Sequence, residues 1–128
     1  MKKFLLTIIA TILMAGSISA QNVARKFVLV EAFTRIKCGY CPAAAGGIGE
    51  MVRQGLSVAP LAFHCDYYTP DDKDYSTSET ESRGSSFYKV RYYPTVIIDG
   101  VSSPAVGGTA SQYMSSYTKL KAEYDKRI

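Results

Sequence analysis

The order of strand and helix signals predicts an α/β fold, a central mixed β-sheet flanked by helices on both faces. Three observations carry that prediction. Apolar runs rich in β-branched and aromatic residues at 26–34, 58–65 and 95–98 alternate with stretches of helical periodicity, in the order strand, helix, strand, helix, strand, strand, helix. The first two runs are nearly continuous in apolar residues, the pattern of strands buried on both faces. The composition, 128 residues with 47% hydrophobic and 20% charged, is that of one ordinary globular domain, with no repeat, low-complexity tract or proline-rich linker.

The first twenty residues are set apart from that domain. Met1-Lys2-Lys3 is cationic, Phe4 to Ala15 is an apolar run, and Gly16 to Ala20 is small and polar. Those are the three parts of a secretory signal peptide, and the run is shorter than the ~20 apolar residues of a membrane-spanning helix. Cleavage after Ala20 leaves 108 residues, 21–128, with thirteen cations against eleven anions. The formal charge of +4 thus falls to +2, and no Arg-rich or aromatic-interleaved patch stands out, so nucleic acid is not an expected partner. No cysteine lies near the cleavage point to carry a lipid, and no later stretch is apolar enough to stop transfer. The expected location is periplasmic or otherwise exported, with no stable membrane span.

Each element has its own signal. Lys26 to Thr34 reads as a buried strand leading into Cys38-Gly39-Tyr40-Cys41-Pro42. Beyond it Ala44, Ile48, Met51 and Val52 recur at helical spacing up to Gly55, with Pro42 suited only to the first turn. Gly46, Gly47 and Gly49 each cost such a helix about 1 kcal/mol relative to Ala, so packing must hold it together. Val58 to Cys65 reads as a second buried strand, and Tyr67 to Ser78 as a polar loop. The acids Asp66, Asp71, Asp72 and Asp74 lack the Gly and Glu of a calcium loop. Ser78-Glu79-Thr80-Glu81 has capping-box spacing and opens a helix towards Val90. Thr95 to Ile98 is the third strand, Asp99-Gly100 a hairpin turn, and Val101 to Val106 a short edge strand. Tyr113, Tyr117, Leu120 and Tyr124 form the core stripe of the last helix.

The chemistry concentrates at Cys38 and Cys41. Two intervening residues let the sulfurs meet within one helical turn, and a helix N-terminus offers unpaired N–H groups and partial positive charge to the first sulfur. With the cation Lys37 alongside, Cys38 is the expected thiolate and Cys41 the thiol that resolves mixed disulfides. Two other readings stay open. Zinc or copper could use Cys38 and Cys41 with His64 or Cys65, although no second cysteine pair exists. A purely structural disulfide is also possible, but so short a loop stabilises weakly. No metal and no cofactor beyond the redox-active pair are expected. Parallel strands joined by crossovers would place Cys38 and Cys65 on one edge of the sheet. A buried thiol at Cys65 and a hydrogen-bonded His64 are the simpler readings, with an accessory catalytic role the alternative.

The stretch Phe27-Val28-Leu29-Val30-Glu31 to Cys38-Gly39-Tyr40-Cys41, with Phe87 to Thr95 downstream, resembles the thioredoxin superfamily. Tyr93-Pro94-Thr95 is similar to the matching segment of protein disulfide isomerase domains, and Gly39-Tyr40 is the dipeptide of a periplasmic disulfide isomerase. Glu31-Ala32-Phe33-Thr34, Cys41-Pro42 and Phe63-His64-Cys65-Asp66-Tyr67 bring the chain closest to secreted bacterial thioredoxin-like proteins often described as outer-membrane proteins. The resemblance covers nearly all of 21–128. It implies a thioredoxin fold, a cis Pro94 facing the cysteines, and a Tyr93 backbone that pairs with an extended substrate, with Gly39 and Tyr40 also in the substrate site. It also implies thiol:disulfide exchange, with protein thiol or disulfide clients and an envelope redox partner.

Two departures stand out. The family's buried acid lies one residue nearer the first cysteine than Glu31 does, so Glu31 matches only if the loop Arg35-Ile36-Lys37 holds a one-residue insertion. On that basis Glu31 is the expected proton acceptor for Cys41, with a solvated or salt-bridged carboxylate as the other reading. Lys37 replaces the family's tryptophan before the first cysteine. A non-catalytic envelope-associated binding module of the same fold is the rival to the enzyme.

Overall fold

A computed structural model describes residues 27–65 and 75–128. The stretch 1–20 expected to be a signal peptide, Lys26 and the acids Asp66, Asp71, Asp72 and Asp74 lie outside the described residues. Eight elements follow in order: β1 (Val28–Thr34), α1 (Cys41–Arg53), β2 (Val58–His64), α2 (Ser78–Glu81) running into a π-helical stretch Ser82–Phe87, β3 (Thr95–Ile98), a 3-10 turn Ala110–Gln112, and α3 (Tyr113–Tyr124). The result is a small α/β fold with a three-stranded mixed sheet.

The sheet order is β2-β1-β3. β1 pairs parallel with β2, from Val28 opposite Val58 to Thr34 opposite His64, and antiparallel with β3, from Val30 opposite Ile98 to Phe33 opposite Thr95. The middle place explains why the β1 sequence is apolar almost throughout. Its alternate residues enter two separate cores. Val28 and Val30, with Val96 and Ile98, pack under Ala44, Ile48 and Met51 of α1 and Leu120 and Tyr124 of α3. Phe33 and Ile97 pack on the other face with Cys65, flanked by Phe63, Tyr88, Val90 and Tyr93. Helices therefore cover both faces, as the apolar runs predict. Leu120 is fully buried, which contributes about 1.5–3 kcal/mol.

Four expectations about elements are corrected. β2 is not buried on both faces. Among the described residues it pairs only with β1, and Pro60, Leu61 and Ala62 are exposed. Pro60 has no N–H to give to a further strand and suits an edge. The capping box sits one residue earlier than read: Thr77 Oγ1 accepts from Thr80 N at 3.3 Å, and Thr80 Oγ1 accepts from Thr77 N at 2.9 Å. The helix it opens stops at Phe87, widened into π turns where Gly84 meets the sheet. A Cβ there would stand 3.2 Å from Cys65 Sγ and 3.2 Å from the Phe33 ring. Val101 to Val106 forms no strand. Asp99 (φ 51°) and Gly100 (φ 71°) make the expected tight turn, but pairing ends at a single bridge between Ile98 and Ser102, two residues before Pro104.

The predicted stripe on α3 divides. Leu120 and Tyr124 are buried and Tyr117 packs against them, whereas Tyr113 stands outside that core, 5.9 Å from the Arg53 guanidinium. Close packing of α1 on α3 also accounts for two of the helix glycines. A Cβ on Gly46 would meet Tyr113, and one on Gly47 would stand 2.8 Å from Tyr117 N, whereas Gly49 faces open space.

Candidate functional site

β1 ends at Thr34, and a six-residue loop carries the chain to Cys41, the first residue of α1. Pro42 occupies the first turn, where its missing N–H costs no helical hydrogen bond. Cys38 and Cys41 are joined: Sγ–Sγ is 1.95 Å and the Cα atoms are 5.4 Å apart. The two sulfurs belong to unlike environments. Cys41 is buried, 8% exposed, whereas Cys38 is half-buried in a loop whose neighbours Lys37, Gly39 and Tyr40 are exposed.

A cleft of about 240 Å³ lies against the buried cysteine, lined by Cys41, Ala32, Ala44, Ile48, Leu61 and Pro94 among others. The resemblance expects Pro94 to be cis and beside the cysteines. The Tyr93-Pro94 bond is cis, and Pro94 is buried in the wall that Cys41 shares. Arg35 lies 5.7 Å from the Tyr93 ring centroid, which ties the cysteine loop to the proline segment.

Gly107 and Gly108, which no motif had marked, close the other side. Gly108 N donates to Tyr40 O at 2.8 Å, and Gly108 O accepts from Ala43 N at 3.2 Å, so one strand-like exchange caps the start of α1. Gly107 has φ 139°, and a Cβ there would stand 3.0 Å from Pro94 Cγ and 3.5 Å from Tyr40 O. Only glycine fits between them without strain. The signal available in the sequence was the Gly-Gly pair itself, twelve residues past Thr95.

Glu31 is not brought to Cys41. Val28, Val30 and Ala32 face α1, so alternation turns Glu31 to the opposite face with Phe33. Its fully buried carboxylate accepts Arg83 Nε at 2.8 Å and the Tyr88 hydroxyl at 2.6 Å. The salt-bridged reading of Glu31 is the one found, and Ala32 stands beside Cys41 instead. Burial, followed by the neighbouring Glu31 carboxylate, pushes the Tyr88 hydroxyl above its ordinary pKa. The hydrogen bond to Glu31 pushes Arg83 up likewise.

Cys65 lies on the sheet face away from Cys41, whereas the register sets His64 opposite Thr34, on the α1 face. Cys65 Sγ is buried on the Phe33 face, 3.6 Å from Thr80 O. His64 is half-buried beside Tyr75, ring centroids 5.8 Å apart, and its buried Nδ1 has no hydrogen-bond partner among the described residues, contrary to the expected hydrogen-bonded histidine. Among the described residues no three of His, Cys, Asp and Glu converge to hold a metal ion, and no helix is long and apolar enough to cross a membrane.

No family model and no curated protein matches this sequence. Among solved structures it is similar to the X-ray structure of a protein from Agrobacterium tumefaciens determined by a structural genomics consortium, with a TM-score of 0.53 and 23% identity. The similarity covers 77% of this chain and 46% of the other, so this chain spans about half of that protein's length. At that identity the likeness is one of fold.

Proposed function

We propose that this protein is an exported thiol:disulfide oxidoreductase of thioredoxin fold, its export directed by the signal at 1–20 and its redox centre the Cys38–Cys41 pair. The observation that carries the reading is the unequal setting of the two sulfurs: Cys38 half-buried in an exposed loop, Cys41 buried at the first turn of α1 against the cleft that Pro94 lines. An inert bridge needs no such asymmetry. A nucleophile needs to be reached, and a resolving thiol needs to be held back from solvent.

In the reduced pair the N-terminal end of α1 favours a thiolate at Cys38. That thiolate attacks one sulfur of a client disulfide, and the electron pair of the broken S–S bond leaves on the client's other sulfur. Cys41 gives its proton to solvent and attacks the Cys38 sulfur. The Cys38–Cys41 bond forms again, the client's first sulfur leaves as thiolate, and two electrons have passed to the client. The reverse sequence oxidises a client dithiol. The exposed Gly39-Tyr40 dipeptide and the Tyr93 backbone are the elements that would hold the mixed disulfide. With Ala32 rather than Glu31 beside Cys41, proton removal falls to water. The clients are proteins with exchangeable thiols, and an envelope redox partner restores the pair.

Insulin reduction driven by dithiothreitol tests this. The wild type is expected to accelerate precipitation of the B chain and Cys38→Ala to abolish the acceleration; equal rates would end the enzyme reading in favour of an inert disulfide.

A further inference from the structure

The cleft beside Cys41 is apolar, narrow and open at one side. Its floor is made of buried Cys41, Ala44, Ile48 and Pro94, and its mouth lies between Ala45 of α1 and the stretch Pro60 to Ala62 of β2, all of them exposed. Among its described lining residues only Thr34 carries an oxygen or nitrogen in its side chain. The room comes from small side chains: Ala32, Ala44, Ala45 and Ala62 stand where longer ones would fill it. A volume of about 240 Å³ is less than the ~300–1,000 Å³ of sites for drug-sized ligands, and suits one large apolar side chain. Leu61, 48% exposed, adds apolar surface to the rim. Displacing poorly held water from such a space by an apolar group gains affinity.

We infer that this cleft is a specificity subsite, taking one large apolar side chain of the client from within three residues of its exchanging cysteine. The inference rests on the redox reading above and names its substrate class. The position of the cleft argues for a client segment as its occupant. The client sulfur bonds to Cys38 Sγ, which lies 1.95 Å from Cys41 Sγ, and Cys41 is itself part of the cleft wall. An extended chain advances about 3.3 Å per residue, so the residues next to the client cysteine come within reach of the mouth. Burying an apolar side chain there stabilises the mixed disulfide and the transition state that leads to it, and the gain belongs to the second-order exchange rate.

Heptapeptides with a central cysteine, each carrying 5-thio-2-nitrobenzoate in mixed disulfide, provide the probe. One has Ser at every other position, and the rest have Leu at one of those positions in turn. The Cys38 thiolate of the reduced protein takes the peptide sulfur, the peptide–nitrobenzoate S–S bond breaks, and coloured 5-thio-2-nitrobenzoate leaves with the electron pair. Rates are divided by those of 2-mercaptoethanol, which removes the intrinsic difference between the peptides. At least one Leu peptide is expected to react about tenfold faster than the Ser peptide and to keep that advantage near 1 M salt, where attraction between charges is screened. Filling the cleft from either wall, by Ala45→Leu or by Ala62→Leu with the fold checked by circular dichroism, is expected to remove most of the advantage. No Leu peptide faster than the Ser peptide, or an advantage that survives in both folded variants, would overturn the subsite while leaving the redox reading standing. Failure of every peptide to react faster with the protein than with 2-mercaptoethanol would overturn the redox reading and this inference together.

Discussion

Arg83 closes on Glu31 from the far side of the sheet, its Nε 2.8 Å from a carboxylate oxygen that is shut off from solvent. The Tyr88 hydroxyl takes the other oxygen at 2.6 Å and lies 3.2 Å from the same guanidinium. Three residues from two distant stretches thus make one polar group in the core that Phe33 and Cys65 share. Its role is to fasten the Ser82–Tyr88 segment to the central strand, remote from the disulfide.

Because the group is structural, its loss should be felt in stability and not in exchange. Tyr88→Phe removes a hydrogen bond to a buried charge and is expected to cost about 1.5 kcal/mol. Arg83→Gln, which leaves the carboxylate with Tyr88 alone, is expected to cost more. Urea unfolding of both variants checks the order. Glu31→Gln should leave the insulin-reduction rate within about twofold of wild type, whereas losing a general base would cost about 10²-fold or more.

Alkali should loosen the same place. Burial and Glu31 raise the Tyr88 pKa, so the folded protein keeps this proton to a higher pH than the unfolded chain does. The contribution is fully present below the unfolded tyrosine value near 10 and is lost as pH rises through the raised folded value. Wild type is therefore expected to lose stability more steeply than Tyr88→Phe above about pH 10. Parallel slopes in urea midpoints measured across that range would contradict this.

The glycines of α1 should respond oppositely to one methyl group. Gly49→Ala fills open space in a helix and is expected to stabilise by about 1 kcal/mol. Gly47→Ala drives a Cβ to within 2.9 Å of Ser116 Cβ and is expected to destabilise by about 1–3 kcal/mol. Thermal unfolding of the two variants reads the contrast directly.

The parts of this fold that were legible in the sequence are those whose cause is local. β1 announces itself because a middle strand is apolar on both faces, Pro42 and the cysteine spacing mark the start of α1, and Asp99-Gly100 fixes a turn through its own dihedral preferences. What was not legible depends on distant partners. Val58 to Cys65 looks as apolar as β1, and only its place at the sheet edge exposes Leu61. Glu31 is one register step from the face of Cys41, and a one-residue difference in a strand reverses the side it serves. The tight spot beneath Gly47 is made by Ser116 and Tyr117, nearly seventy residues on. The disulfide was readable as a motif. The Gly107-Gly108 clasp on Tyr40 and Ala43 became visible only once the chain was folded.

Redox activity of Cys38 and Cys41 stands or falls most directly on the reduction potential of the couple. Equilibrating the protein in thiol–disulfide buffers of graded potential, trapping with iodoacetamide and weighing the products measures it. An exchanging pair is expected to be half open at a potential between about −270 and −120 mV, the span of catalytic couples. A bridge that stays closed in buffers more reducing than about −300 mV would mark a structural disulfide and contradict the proposed function.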